Sequence, residues 1–374
     1  MELQILNHSL TKNSMTTLLV NLQEKLDQAE RSQLTPFSDF NDAEMIIWFL
    51  YQSEHLLIEQ ARSNRTIREY EKELNQFIEY LMKYHNEMGL DVVWSESFFR
   101  SLAPRHIRLY QEWLKENSPY VKSQRAKGKS GYSVATLTRK TTIIKQFLSF
   151  LYEKKYVTAP LHEGLKSVQV RSDDRPNRDM GTKDVGRIMQ LFINTENIFA
   201  FTIIQTLVTT GLRNEELCKL TVQDLRKSIS GNPYLAVIGK GNKRRDIPLR
   251  ENIVKSIDYY RIARQVPPIA DAQPQEPLFP TARGLHFSPS GFSQWLSRQI
   301  ESIADDSLKH LKITPHTFRH AFAIISHENN ADVYDIMRSL GHEKIDTTMI
   351  YLQKIFEQEN HTSHLWKNDI LKYL

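Results

Sequence analysis

Thr314-Pro315-His316-Thr317-Phe318-Arg319-His320 opens a segment that continues through Leu340-Gly341-His342 and closes on Thr347-Thr348-Met349-Ile350-Tyr351. Threonine before proline marks a helix start. Its hydroxyl accepts from an unpaired backbone N–H, and proline at the first position has no N–H to leave unsatisfied. His316 and Arg319, three apart, then share one face of that helix. Gly341 reads as the residue just past a second helix, where left-handed backbone angles are wanted, which places His342 in a tight turn. Asp346 is expected to cap a third helix that carries Tyr351 in its second turn. Three helix ends thus gather two histidines, an arginine and a tyrosine, a set suited to chemistry on a phosphodiester.

Composition bounds the rest. A chain of 374 residues is expected to form two domains. Its 49 Lys+Arg against 44 Asp+Glu give a formal net charge of +5 and a pI near 9.0, mildly basic and compatible with nucleic acid. The single cysteine, Cys218, rules out an internal disulfide and a cysteine-based zinc site and fits a reducing cytosol. The longest uncharged run, between Glu196 and Arg213, is too short and too polar to span a bilayer. Met1 to Leu10 lacks the pattern of a signal peptide. A soluble cytoplasmic protein, with no membrane partner, is expected. A metal at His316 and His342 is not, because carboxylate partners are missing nearby and Arg319 would repel a cation.

In chain order, residues 1–58 read as an N-terminal helical extension for packing or dimerisation. Leu18, Leu19, Leu22 and Leu26 form one stripe, and Met45, Ile46, Phe49 and Leu50 another. Residues 59–165 read as a helical domain. A helix over 63–84 carries Ile67, Tyr70, Leu74, Phe77, Ile78 and Leu81 on one side, with Ser63 or Asn64 as cap; another follows Ala103-Pro104. Between Glu116 and Glu153 there is no acidic residue. Lys122, Arg125, Lys127 and Lys129 fall there in a glycine-containing loop. Arg139, Lys140 and Lys145 punctuate a helix whose apolar face is Leu137, Ile144, Phe147, Leu148 and Leu151. Basic residues without acids predict a phosphate-tracking surface. Pro160 to Met180 reads as a linker, with its boundary drawn over 166–181.

The second domain, 182–374, begins with a possible cap in Thr182-Lys183-Asp184. Residues 198–210 are almost wholly apolar and predict a buried helix ending at Gly211. Tyr234 to Ile238 and Asp246 to Leu249 predict a hairpin, and the proline-rich run Gln265 to Pro280 an exposed loop. The fold class is therefore mainly α with a small antiparallel β-sheet in the C-terminal domain. Arg213, at a helix junction, presents a guanidinium fork that matches two phosphate oxygens and keeps its proton. Glu216 lies one turn on and can orient it. Gly239-Lys240-Gly241-Asn242-Lys243-Arg244-Arg245 is a glycine-flanked basic turn without P-loop spacing. A lysine at such a tip can hand a proton to a leaving alkoxide, although an ordinary basic hairpin has the same composition. His320 reads as an orienting or core histidine.

Taken together, Arg213, Lys240, His316-x-x-Arg319, Gly341-His342 and Tyr351 resemble the tyrosine recombinase family of phage integrases and Xer-type recombinases. The resemblance covers residues 60–352. It is carried by Thr210-Gly211-Leu212-Arg213 with Glu216-Leu217, by Ile238 to Lys243, and by the segment quoted first. It implies that Arg213 and Arg319 clamp the scissile phosphate, Lys240 and His316 move protons, His342 supports the phosphate and Glu216 supports the clamp. Tyr351 becomes the nucleophile of a 3′-phosphotyrosine intermediate, with no cofactor. The first domain corresponds to a core-binding domain that closes a two-domain clamp on DNA. Lys243, Arg244 and Arg245 join the basic run as DNA contacts.

The implied partners are double-stranded DNA bearing a specific recombination site, further copies of the chain in a tetramer, and accessory DNA-bending proteins. Integration, excision and dimer resolution are all open to such an enzyme. The stripe Leu365, Trp366, Ile370, Tyr373 and Leu374 would dock on a neighbouring subunit, or else cover its own domain. Three rivals remain: a monomeric type IB topoisomerase, a non-catalytic DNA-binding relative and a metal-dependent nuclease. Each phosphate contact adds about 0.9 to the slope of log affinity against log salt. Neutralising Lys122, Arg125, Lys127 and Lys129 together should weaken DNA binding and flatten that slope in a salt titration. An unchanged slope would mark the run as solvated surface.

Overall fold

The computed structural model describes residues 12–51, 62–90, 97–116, 132–166, 178–303, 305–308 and 311–359. The basic loop with Lys122, Arg125, Lys127 and Lys129, most of the expected linker and the terminal stripe lie outside these. The chain divides into two compact units, Met1–Arg175 and Pro176–Leu374.

The first unit is helical: α1 Lys12–Arg31, α2 Asp42–Tyr51, α3 Asn64–Tyr84, α4 Pro104–Glu116 and α5 Val134–Glu153. Ser63 and Ser133 begin α3 and α5 with side-chain oxygens that accept from the N–H of Thr66 and Thr136, at 3.2 and 3.3 Å. The apolar stripes meet in one core, where Leu22, Met45 and Ile46 pack in the same cluster as Leu74, Phe77, Tyr110, Phe147 and Leu148. Helices α1 and α2, from the segment read as an extension, are therefore part of this core. Buried Asp42 ties α2 to distant chain by accepting from Phe98 N at 2.6 Å and Tyr156 Oη at 2.7 Å. Leu161 and Leu165, at the start of the run read as a linker, are buried in this core too.

Charge on α5 differs from the sequence reading. Lys140 is buried, and its ammonium donates to Glu73 and to Gln76 Oε1 of α3. Arg139, half exposed, reaches Glu69 and Glu73 at 3.5 and 3.3 Å. The acids missing from this part of the sequence are supplied by a helix far along the chain. Lys140 is thus removed from the expected phosphate-facing set, because its charge is matched inside the unit. Lys145 remains half buried.

The second unit contains α6 Thr182–Asn194, α7 Ile198–Thr210, α8 Asn214–Lys219, α9 Glu251–Ala263, α10 Pro289–Ser302, α11 Pro315–Glu328, α12 Val333–Leu340 and α13 Ile345–Glu359. Its sheet is antiparallel in the order β1 Leu225–Lys227, β2 Pro233–Ile238, β3 Arg244–Pro248, with Leu235 opposite both Leu225 and Ile247. Only three residues long, β1 left no pattern in the sequence. Helix α7 is central, with Ala200, Ile203, Ile204 and Leu207 fully buried, and it packs against α6, α9 and α11. Asp184 starts α6 by accepting from Gly181 N at 3.1 Å, so the cap lies one residue before the expected Thr182.

The proline-rich run is a loop, exposed along much of Gln265 to Gln275 and anchored at its C-terminal end. Arg261 of α9, wholly buried, donates to Pro267 O at 2.8 Å, to Pro277 O, and to Glu276 Oε2 at 2.8 Å. Leu278 and Phe279 enter the core behind it. One guanidinium satisfies carbonyls that proline-rich chain cannot pair with itself. No described helix is long and apolar enough to cross a membrane.

Removing one partner of a buried ion pair leaves an uncompensated charge, at about 3–5 kcal/mol. Lys140→Ala is therefore expected to destabilise the protein by about that amount in denaturant unfolding. Lys140→Met with Glu73→Gln should recover most of it.

Candidate active site

Two helix ends build the site. Helix α7 stops at Gly211 (φ 60°) and α12 stops at Gly341 (φ 65°), both left-handed. At Gly211 a side chain is also excluded by space, since a Cβ would stand 2.8 Å from Leu340 Cδ2 and 3.0 Å from Phe322 Cδ1. His342 follows Gly341 directly and bonds to Arg319, and Arg213 stands two residues after Gly211, with Leu212 between them. Helix α11 starts as expected, with Thr317 N donating to Thr314 Oγ1 at 3.4 Å and Pro315 at its first position. Asp346 proves to be the second residue of α13 and not its cap.

Arg319 is 1% exposed. Nη1 donates to Gly211 O at 2.5 Å, and Nη2 donates to Leu340 O at 2.6 Å and to His342 Nε2 at 2.8 Å. Burial, with the like charge of Arg213, brings its pKa down to about 10, which still leaves it charged at neutral pH. An arginine only donates, so His342 Nε2 is the accepting nitrogen. The ring proton sits on Nδ1 and is donated to Thr348 Oγ1, 2.9 Å away. Burial and the guanidiniums of Arg319 and Arg213 hold this histidine at about 3.

Arg213 begins α8. Its backbone N–H donates to Glu216 Oε2 at 2.8 Å, its Nη1 to Oε1 at 2.8 Å, and its Nη2 to Gly341 O at 3.3 Å. Arg245 of β3 grips the same carboxylate through Nη1 at 2.9 Å and Nη2 at 2.7 Å. Burial alone would raise the Glu216 pKa, but Arg245 and Arg213 hold it down at about 2. Arg245, read as a DNA contact, is thus turned inward and bound to Glu216. Of its neighbours, Arg244 is exposed and Lys243 is paired with Glu343 at 2.7 Å in the open. Lys240 lies on the turn between β2 and β3, and its side chain is outside the described residues.

Tyr351, 8% exposed, is ringed by imidazoles, with centroids at 4.7 Å from His320, 5.4 Å from His342 and 5.5 Å from His316. His320 is buried, and its Nε2 donates to Tyr351 O at 2.8 Å, which holds the tyrosine backbone to α11. His316 opens to solvent yet has protein on most sides. Desolvation, with Arg178, Arg319, His320 and Arg213, brings its pKa down to about 4. A small core of Ala323, Ile324, Ile336, Leu340 and Leu352 fixes α13 beneath Tyr351. Sequence reasoning missed Thr348, Arg178 and the inward role of Arg245. Nothing in a local pattern tells which hydroxyl or cation will face a residue from another element. Among the described residues no cluster of three His, Cys, Asp or Glu side chains is placed to hold a metal ion.

A small helical unit with cations gathered around one tyrosine defines a particular class of fold and site. Residues 178–358 match the phage integrase family. The tyrosine recombinase XerD of Oceanobacillus iheyensis is 27% identical over 298 residues, 79% of this chain and 90% of that protein. XerC of Thermodesulfovibrio yellowstonii is 25% identical over 340 residues, 84% and 95%. By fold, the chain is similar to the XerH site-specific recombinase bound to palindromic difH substrate (TM-score 0.59, 17% identity, covering 94% and 97%). It is also similar to a lambda integrase dimer bound to a COC' core site (TM-score 0.57, 12% identity, covering 83% and 77%). The chain is thus similar to tyrosine recombinases, and the phage integrase match lies over residues 178–358 of its second unit.

Both depressed histidines are neutral in the folded protein, while the unfolded chain protonates them near the ordinary 6.5. Their contribution to stability is complete above that value and is lost as pH falls toward about 4 for His316 and about 3 for His342. Ring ¹⁵N shifts followed by NMR should stay those of neutral imidazole as pH falls from 7 to about 5. Titration of either ring near its ordinary value would contradict this geometry.

Proposed function

We propose that the chain is a site-specific recombinase that cuts and rejoins DNA strands through a 3′-phosphotyrosine intermediate. The observation that carries this reading is Tyr351 packed among His316, His320 and His342 beside the buried guanidinium of Arg319. A free tyrosine has a pKa of about 10, so it attacks only with a base nearby and a phosphate already neutralised. In this reading Tyr351 Oη attacks phosphorus and its proton passes to His316, which is neutral and able to accept it. The bond from phosphorus to the 5′ oxygen breaks, and Lys240 protonates that oxygen. Arg213, Arg319 and His342 hold the charge that grows on the other phosphate oxygens. The adduct keeps the bond energy, so a second strand's hydroxyl reverses the step without a nucleotide cofactor.

Arg319 and Tyr351 are almost wholly covered, so a phosphate reaches them once α13 shifts off the small core beneath it. The first unit is the core-binding domain in this proposal. Lys145, Arg139, Arg244 and Lys243 contribute phosphate contacts together with the loop around Lys122 to Lys129. Duplex DNA with a specific site, and further copies of the chain in a tetramer, are the partners. Integration, excision or dimer resolution then follows from the sites and accessory proteins supplied.

Nicked suicide DNA cut from a genomic site tests the chemistry. Wild type should accumulate a covalent adduct in the presence of EDTA, and Tyr351→Phe should bind equally and form none. Adduct formation by Tyr351→Phe, or its loss with the chelator, would overturn the reading.

A further inference from the structure

We infer that Arg245 is a positioning residue for strand cleavage, gripping Glu216 from β3 and so fixing the aim of Arg213. This rests on the recombinase reading above. Each oxygen of the Glu216 carboxylate receives one donor from Arg213 and one from Arg245, Oε1 at 2.8 and 2.9 Å and Oε2 at 2.8 and 2.7 Å. Arg213 and Glu216 are one helical turn apart and move together. Among the described hydrogen bonds, Arg245 is what fastens that carboxylate to anything beyond α8. Without it, Glu216 orients Arg213 only relative to its own helix.

The surroundings are shaped for this guanidinium. A Cβ at Gly239 would stand 3.2 Å from both Arg245 Nη1 and Glu216 Oε1, and one at Gly341 would stand 3.3 Å from Arg245 Cδ. Two segments that carry the site, the turn with Lys240 and the turn with His342, thus leave room for the same side chain. Arg245 pairs with Val237 in the sheet, so its backbone is held in register while the head group points inward. A bidentate fork suits guanidinium and not ammonium, because one ammonium cannot serve both carboxylate oxygens in plane.

The groups facing Glu216 are Arg213 and Arg245, with Arg319 in electrostatic range. Loss of Arg245 removes the larger opposition to burial, so the Glu216 pKa rises and its ionised form is lost at a higher pH. A purely structural residue would lower cleavage alike at every pH. The test compares wild type, Arg245→Met, Glu216→Gln and the double variant on suicide DNA, with rate measured against pH and with DNA affinity and thermal unfolding alongside.

Arg245→Met should cleave about 10- to 100-fold more slowly, as when an outer partner stops orienting a group at the reacting atoms. Its acid limb should move upward while affinity holds. The double variant should be no slower than Glu216→Gln and should lose the shifted limb. Should Arg245→Met fail to fold, Arg245→Lys carries the test and should show a smaller shift of the same sign. An unshifted limb, or losses that multiply in the double variant, overturns the inference while the recombinase reading stands. A wild type that forms no tyrosine adduct removes both.

Discussion

A guanidinium buried to 1% exposure is the constraint around which the second unit is organised. Taking the charge of Arg319 out of water costs several kcal/mol, and only well-placed oxygens offset that. The chain supplies them from two helix C-termini, Gly211 O after α7 and Leu340 O at the end of α12. Such ends carry unpaired carbonyls and the negative pole of the helix dipole. Both helices therefore have to stop where they do, and both stop at a left-handed glycine. His342, the next residue, and Arg213, two residues on, are delivered to the site by the same two terminations. Satisfying one buried cation assembles the others.

The electrostatics of the site follow from this crowding. Arg213, Arg245 and Arg319 lie around a single buried carboxylate, Glu216, so positive charge is in excess. The imidazoles respond by staying neutral, His342 by accepting from Arg319 and His316 by sitting among cations. An excess of fixed positive charge in a partly desolvated site favours an anion, and its donors are already oriented. Packing adds a second control, since Tyr351 rests on a core separate from the main one.

In the first unit the same accounting runs through pairs distant in sequence. Lys140 and Arg139 looked like free bases because no acid stood near them in the chain, yet Glu73 and Glu69 of α3 lie across from them. The proline-rich run of the second unit is the exposed loop it was read as, yet its C-terminal end is anchored in the core. Proline marks where a chain cannot pair with itself, but Arg261 supplied the missing donors from α9.

The sequence by itself determined the helices, most of their starts and stops and the hairpin, and it named most of the side chains that meet around Tyr351. Each of these rests on interactions within a few residues: Thr314 with Thr317, Gly341 after α12, the apolar period of α7. Residues 1–58 show the limit, since their stripes were legible but the core they share with α3–α5 was not. Only the tertiary structure decided which charges are spent inside. Lys140 and Arg245 are basic residues in basic stretches, and nothing local separates them from Arg244. Their fate is set by a carboxylate on another element, through forces that act across space and leave no periodicity in the chain.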